Sequence, residues 1–258
     1  MARKNKKKVF HELEVIDAGA KGKAIAKAPD GKVVFIDNAV PGDIADIQTY
    51  KKRKSYYYGK VSNYISYSDK RTEPVCQHFG TCGGCKWQNM DYKYQLFYKQ
   101  QEVENNLRRL GKIELPETTP ISGSENIYFY RNKMEFSFSD SRWLTLDEIN
   151  SGEDIEDKNA LGFHIPGMWD KILNIKKCHL QEDPSNAIRN EVRDFATKND
   201  ISFFNARNQE GLLRTLMIRT SSTGEIMVLV QFFYEAKEQR ELLMNFIAER
   251  FPEITSLQ

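Results

Sequence analysis

No apolar run in this 258-residue sequence approaches the roughly 20 residues of a membrane-spanning helix, so a helical integral membrane protein is excluded. The basic start (Arg3, Lys4, Lys6, Lys7, Lys8) has no hydrophobic stretch behind it, so it is not expected to be a secretory signal. Internal repeats and long low-complexity segments are missing too, which excludes solenoids and collagen-like arrays. Cysteine is scarce, at four residues. The expected compartment is the cytoplasm, where thiols stay reduced, so these four are read as ligands or reactive groups before disulfides.

Charge is unevenly spread behind a net value of +2. Residues 1–75 carry 16 Lys and Arg against 9 Asp and Glu, whereas the remainder carries 22 against 27. A basic first quarter on a mildly acidic remainder suits a polyanionic partner, with a solvated lysine-rich surface as the alternative.

Residues 1–8 read as a disordered basic tail. Residues 9–70 read as a run of about five short strands, punctuated by Pro29–Asp30–Gly31 and Pro41–Gly42, turns that proline and glycine favour. Such a run suits a small closed barrel of the OB type. Residues 71–258 read as a second, α/β domain, incomplete at its C-terminus and with a largely antiparallel sheet, so the whole is α+β. It begins with a cysteine-rich loop over 72–89 and a helix over 91–110. In that helix Leu96, Val103, Leu107 and Leu110 recur at helical spacing before Gly111. Met134, Phe136 and Phe138 alternate with polar residues in a half-buried strand, 149–160 is an acidic loop, and Asp183–Pro184 opens a helix. Residues 212–220 and 225–234 pair as a hairpin. A last helix over 236–250 turns Leu242, Phe246 and Ile247 inward, and the final residues begin another strand.

Two constellations carry chemistry. Lys51, Lys52, Arg53, Lys54, Tyr56, Tyr58 and Lys60 interleave cations with aromatics, a surface able to neutralise phosphates and stack bases. Cys76, Cys82 and Cys85, spaced C-x5-C-x2-C, join a remote Cys178. Four thiolates among Gly80, Gly83 and Gly84 meet the needs of a [4Fe–4S] cluster. A structural zinc site, a Cys82–Cys85 redox dithiol and unrelated thiols remain open on spacing alone.

These residues also resemble a known family. Pro74-Val-Cys76-x5-Cys82-Gly-Gly-Cys85-x-x-Gln88, continued by Tyr92-x-x-Gln95-x-x-x-Lys99, is similar to the motif of TRAM-containing, iron–sulfur RNA uracil-5 methyltransferases. Gly22–Ala26, Val33–Ile36 and Val40–Gly42 resemble that family's TRAM domain, and Tyr130–Phe136, Leu161–His164 and Cys178–Leu180 its central domain. The resemblance implies a barrel that grips RNA, ribosomal RNA above all, and a [4Fe–4S] cluster on Cys76, Cys82, Cys85 and Cys178. It adds Arg131 and Lys133 as candidates for the RNA path.

In that family a Rossmann-like domain holds S-adenosylmethionine. A cysteine there attacks C6 of a flipped uridine, and a carboxylate removes the C5 proton after methylation. The sequence stops where that domain would begin, and all four thiols are taken by the cluster. The expectation is therefore that the Rossmann-like domain is absent, S-adenosylmethionine belongs to a full-length parent only, no catalytic residue lies here, and the chain alone is inactive.

Overall fold

A computed structural model describes residues 8–258. Of the tail expected over 1–8, all but Lys8 lies outside the described residues. Lys8 itself is paired: its N–H donates to Thr49 Oγ1 at 2.9 Å and its carbonyl accepts from the Thr49 N–H at 2.8 Å.

The chain forms two compact units, Met1–Gly80 with Cys85–Glu125, and Thr81–Gly84 with Asn126–Gln258. The division differs from the expected boundary at 70/71: the helix after the cysteine loop belongs with the barrel. No described helix is long and apolar enough to cross a membrane.

In the first unit β1 (Val9–Gly19), β2 (Lys23–Lys27), β3 (Val33–Asp37), β4 (Ile44–Lys52) and β5 (Tyr56–Ser66) close a barrel in the order β1-β2-β3-β5-β4. The five-stranded closed barrel expected from the turn spacing is present. Only the β3–β5 pair is parallel. Register shifts between Val15 and Asp17, and between Phe10 and Leu13, bend β1 so that it can serve two neighbours. Strict alternation sends Val15, Ala24, Ala26, Val34, Ile36, Ala45, Ile47 and Tyr57 inward. Space there is tight: a Cβ on Gly59 would lie 2.5 Å from Ile47 Cγ2.

Asp43 is the unit's buried anchor. Its carboxylate is fully buried, takes both prongs of Arg71 (Nε and Nη2, each 2.7 Å), and accepts from the N–H groups of Val40 and Ser68. This fastens residues 68–71 to the barrel.

α1 (Tyr92–Arg109) starts where the Asp91 side chain accepts from the Lys93 N–H at 3.0 Å, a standard N-cap. Most of the apolar stripe at helical spacing stays open to solvent. Val103, Leu107 and Leu110 are 58%, 37% and 80% exposed, and the helix instead docks through Tyr94 and Tyr98 onto Ala18, Val40 and Met90. Helical periodicity located a stripe but not the neighbour that would cover it.

The second unit holds a six-stranded sheet of β6 (Lys133–Ser139), β7 (Ala160–Ile165), β8 (Met168–Asn174), β9 (Leu213–Thr220), β10 (Ile226–Phe232) and β11 (Ser256–Leu257). Its order is β11-β10-β9-β6-β7-β8, antiparallel except for β10–β11. A short helix α2 (Leu146–Asn150) precedes the acidic loop. α3 (Ser185–Lys198) and α4 (Lys237–Arg250) pack together, with Phe195 and Phe246 stacked at 3.9 Å. Met134, Phe136, Phe138, Leu216 and Ile218 form the sheet's buried face. In α4, Leu243 and Ile247 are buried while Leu242 is 45% exposed, one position off the sequence reading. Pro184 takes the N-cap position of α3 in place of Asp183, whose carboxylate still accepts from the Asn186 N–H at 3.2 Å.

Candidate functional site

The first candidate surface lies on the outside of the barrel. Alternation that turns Tyr57 inward turns Tyr56, Tyr58 and Lys60 outward. Lys51, Lys52, Arg53 and Lys54 are exposed at the end of β4 and the following turn, which closes with the Arg53 N–H on the Tyr56 carbonyl at 2.8 Å.

The parallel β3–β5 pairing adds what sequence reading missed. Phe35 stands opposite Tyr58, and its ring centroid is 5.5 Å from Tyr56 and 5.6 Å from Tyr58. Tyr50 stacks on Tyr58 at 6.2 Å. Lys23 and Lys51 place their ammonium groups 5.7 and 5.8 Å from the Tyr58 ring centre. Asp37 organises the group, pairing with Lys23 and accepting from the Tyr50 hydroxyl at 2.8 Å. Burial, followed by that carboxylate, pushes the Tyr50 phenol well above its ordinary range, so it stays a neutral donor. The result is a four-ring platform rimmed by lysines, the composition single-stranded nucleic acid favours. Outward parity on β2, β3 and β4 was the available signal for Lys23, Phe35 and Tyr50.

The four cysteines, all half-buried, fall into two pairs, one in each unit. In the first unit Gln88 links Cys76 and Cys85: its Oε1 accepts from the Cys76 N–H and its Nε2 donates to Cys85 Sγ, each at 3.2 Å. Gln95, in the first turn of α1, holds the same loop by donating to the Trp87 and Met90 carbonyls. Trp87 itself packs against Ala18, Val40, Met90 and Tyr98. A Cβ on Gly22 would collide with Lys86 Cβ, so glycine there lets the barrel loop and cysteine loop touch.

In the second unit Cys82 and Cys178 pack against one apolar cluster of Ile165, Leu173 and Ile175, flanked by Trp143 and Phe163. The Gly84 N–H donates to Cys82 Sγ at 3.4 Å. Cys178 is held through its backbone. Its N–H donates to Asn186 Oδ1 at 2.7 Å, and Asn186 Nδ2 returns a bond to its carbonyl at 3.1 Å.

Behind Asn186 lies Arg189, fully buried, whose guanidinium donates to the carbonyls of Ile175 and Lys176 and to the side chains of Asn186 and Asn190. Burial lowers its pKa to about 10, opposed by the charges of Cys178 and Asp183. Neither Asn186 nor Arg189 was visible in the sequence. Amide donors aimed at sulfur suit bound thiolates. Among the described residues, however, no three His, Cys, Asp or Glu side chains are grouped to hold a metal ion.

Arg131 and Lys133 are exposed, Arg131 just before β6 and Lys133 at its first position. The Phe129 and Arg131 N–H groups donate to the His179 and Leu180 carbonyls, so this segment runs beside the one carrying Cys178. His179 contacts the Tyr128 and Phe129 rings, and its pKa is lowered by burial first and Lys177 second.

No protein-family model matches the chain. It is 54% identical over 241 residues to an uncharacterized RNA methyltransferase of Bacteroides thetaiotaomicron, covering 92% of this chain and 53% of that protein. It is 46% identical to one of Porphyromonas gingivalis (95% and 54% covered) and 36% identical to one of Chlorobaculum tepidum (94% and 51% covered). The chain thus spans about half the length of the curated relatives it matches. Among solved structures, it is similar to the Pyrococcus abyssi tRNA (uracil-54, C5)-methyltransferase in complex with S-adenosyl-L-homocysteine. The TM-score is 0.57 at 23% identity, over 88% of this chain and 47% of that one.

These likenesses overturn two linked expectations: that a Rossmann-like methyltransferase domain is absent, and that the catalytic domain is lacking. The sequence aligns with proteins named as methyltransferases along nearly all of its length while spanning about half of theirs. Its last residue therefore carries no conclusion about either point.

Proposed function

We propose that this protein methylates C5 of a uridine in RNA, with S-adenosylmethionine as methyl donor, and that the barrel surface around Tyr58 grips the RNA. The observation that carries the reading is the platform of Phe35, Tyr50, Tyr56 and Tyr58 rimmed by Lys23 and Lys51. It stands on a chain whose relatives are named RNA methyltransferases. In this reading the barrel is a TRAM domain, and Lys51, Lys52, Arg53, Lys54 and Lys60 neutralise phosphates while Tyr56 and Tyr58 stack on bases. Arg131 and Lys133 extend the path. Ribosomal RNA is the proposed substrate, and the cytoplasm the proposed compartment.

The direct test is transfer of labelled methyl groups from S-adenosylmethionine to ribosomal and transfer RNA, with nucleoside analysis of the product. 5-Methyluridine in ribosomal RNA is the expected outcome. Label confined to transfer RNA would reject the ribosomal assignment, and label in neither would reject the activity.

Replacing Lys52 and Arg53 together by glutamate should weaken RNA binding and flatten its salt dependence. The slope of log K against log salt is expected to fall by about 0.7 for each single-strand phosphate that is no longer neutralised. Titrations at several salt concentrations read this out, and an unchanged slope argues against the patch.

The second part of the proposal is that Cys76, Cys82, Cys85 and Cys178 ligate one [4Fe–4S] cluster. Its support is the motif spacing and the amide donors at Cys82 and Cys85. Such a cluster would stiffen the loop over 72–89. Anaerobically purified protein is expected to be brown and to contain about four iron and four sulfide per chain, the composition of this cluster type. Any one Cys→Ser change should lower both. Stoichiometric zinc in a colourless protein would replace this assignment.

A further inference from the structure

The face of the six-stranded sheet opposite Phe136 and Ile218 bears a cavity of about 480 Å³, within the size range of small-ligand sites. Its walls come from β6, β7, β8, β9 and β10 together with the segment around Phe204. Three features define what it can take.

The first is Trp169, which lines the cavity although its indole is 64% exposed. A large aromatic left open to solvent beside polar groups is a stacking platform for another flat ring. The second is Arg214. Its guanidinium carbon sits 4.6 Å from the centre of the Phe204 ring and 5.7 Å from that of Phe233, so the plane is held by aromatics. It has no ion-pair partner among the described residues. A pre-positioned guanidinium fork suits phosphate oxygens or the acceptor edge of a base. The third is a row of groups that both donate and accept: Ser137 and His164, whose Oγ and Nε2 lie 3.4 Å apart, with Thr215 and Gln231 across the neighbouring strands. Mounted on strands, they are fixed in position, as selective recognition requires.

The acidic groups do not oppose an anion. Asp170 is neutralised by Arg207 at 2.5 Å, which also keeps its carboxyl below the usual range, and Glu135 has Lys133 at 3.9 Å. At the other end of the same face Lys133 pairs directly opposite Arg219, both exposed, a cationic approach for a phosphate backbone. A cavity of this volume admits one nucleotide and not a duplex.

We infer that this cavity binds a single unpaired nucleotide of the RNA, with Trp169 stacking on the base and Arg214 holding the phosphate or base edge. The inference rests on the RNA reading above and adds a second contact region to the barrel platform.

The test measures binding of single-stranded oligoribonucleotides to the full protein and to Trp169→Ala, Trp169→Phe and Arg214→Gln variants. The alanine variant should bind about tenfold more weakly, the loss of one base–aromatic stack, while phenylalanine retains most of the affinity. The glutamine variant should weaken binding by a similar factor. Photocrosslinking with 4-thiouridine-substituted RNA should label the peptide containing Trp169. Should Arg214→Gln lower the thermal midpoint, the exposed Trp169 positions decide. Wild-type affinity in both Trp169 variants, with RNA binding still weakened and its salt slope flattened in the Lys52→Glu, Arg53→Glu protein, overturns this site and leaves the barrel reading standing. No RNA binding by the unaltered protein overturns both.

Discussion

Replacing Asp43 by alanine is expected to destabilise the barrel unit by about 3–5 kcal/mol, as removal of one partner from a buried ion pair does. The fully buried carboxylate serves four donors: two from Arg71 and the N–H groups of Val40 and Ser68. Its loss strands all four and releases the Arg71 guanidinium, which lies 4.8 Å from the Tyr64 ring centre and 5.1 Å from that of Tyr67. Residues 68–71 lead into the cysteine loop, with the Thr72 N–H on the Asn89 carbonyl and the Asp91 N–H on that of Lys70. A loosened strap should therefore lower RNA affinity as well as stability. Asp43→Asn keeps the shape and one carbonyl acceptor and should cost less. Denaturant unfolding of both variants decides the matter: an alanine variant within about 1 kcal/mol of the parent would show that the network contributes no more than an ordinary hydrogen bond.

Arg189→Met should be nearly as costly in the second unit, about 3 kcal/mol or more. Methionine fills much of the volume but leaves the Ile175 carbonyl without its donor and Asn186 without its orienting partner, and each unsatisfied buried group costs about 1–3 kcal/mol. Arg189→Lys should recover only part, because an ammonium cannot span the same carbonyls as a planar fork. The variant separates stability from ligation. Asn186 clamps both backbone groups of Cys178, so under the proposed cluster assignment an Arg189 variant that still folds should release iron faster on chelation. Iron retention equal to the parent would show that Arg189 serves packing alone.

Much of the barrel was legible because its signals are local. Alternation in Lys23–Lys27 and Val33–Ile36, a turn at Pro29–Asp30–Gly31 and outward tyrosines at 56 and 58 need only neighbouring residues to be read. The same locality explains the misses. The stripe Val103, Leu107 and Leu110 has helical spacing, yet spacing does not say whether a neighbour exists to cover it. Leu243 and not Leu242 turns inward because α4's rotation is set by its packing against α3. The contact of α1 with Ala18, Val40 and Met90 through Tyr98 joins residues far apart along the chain, which no local pattern carries.

The order of residues alone was enough to reveal the alternations, the turns, the basic-aromatic run and the four thiols with their glycines, because each is a relation between residues close along the chain. It took the folded arrangement to bring Phe35, Tyr50 and Lys23 to Tyr58, to set Asn186 and Arg189 behind Cys178, and to put Arg214 and Trp169 in one cavity. Those groupings depend on which strands pair and in what register. Register is settled by the simultaneous burial of many side chains, a condition no single segment of the chain contains.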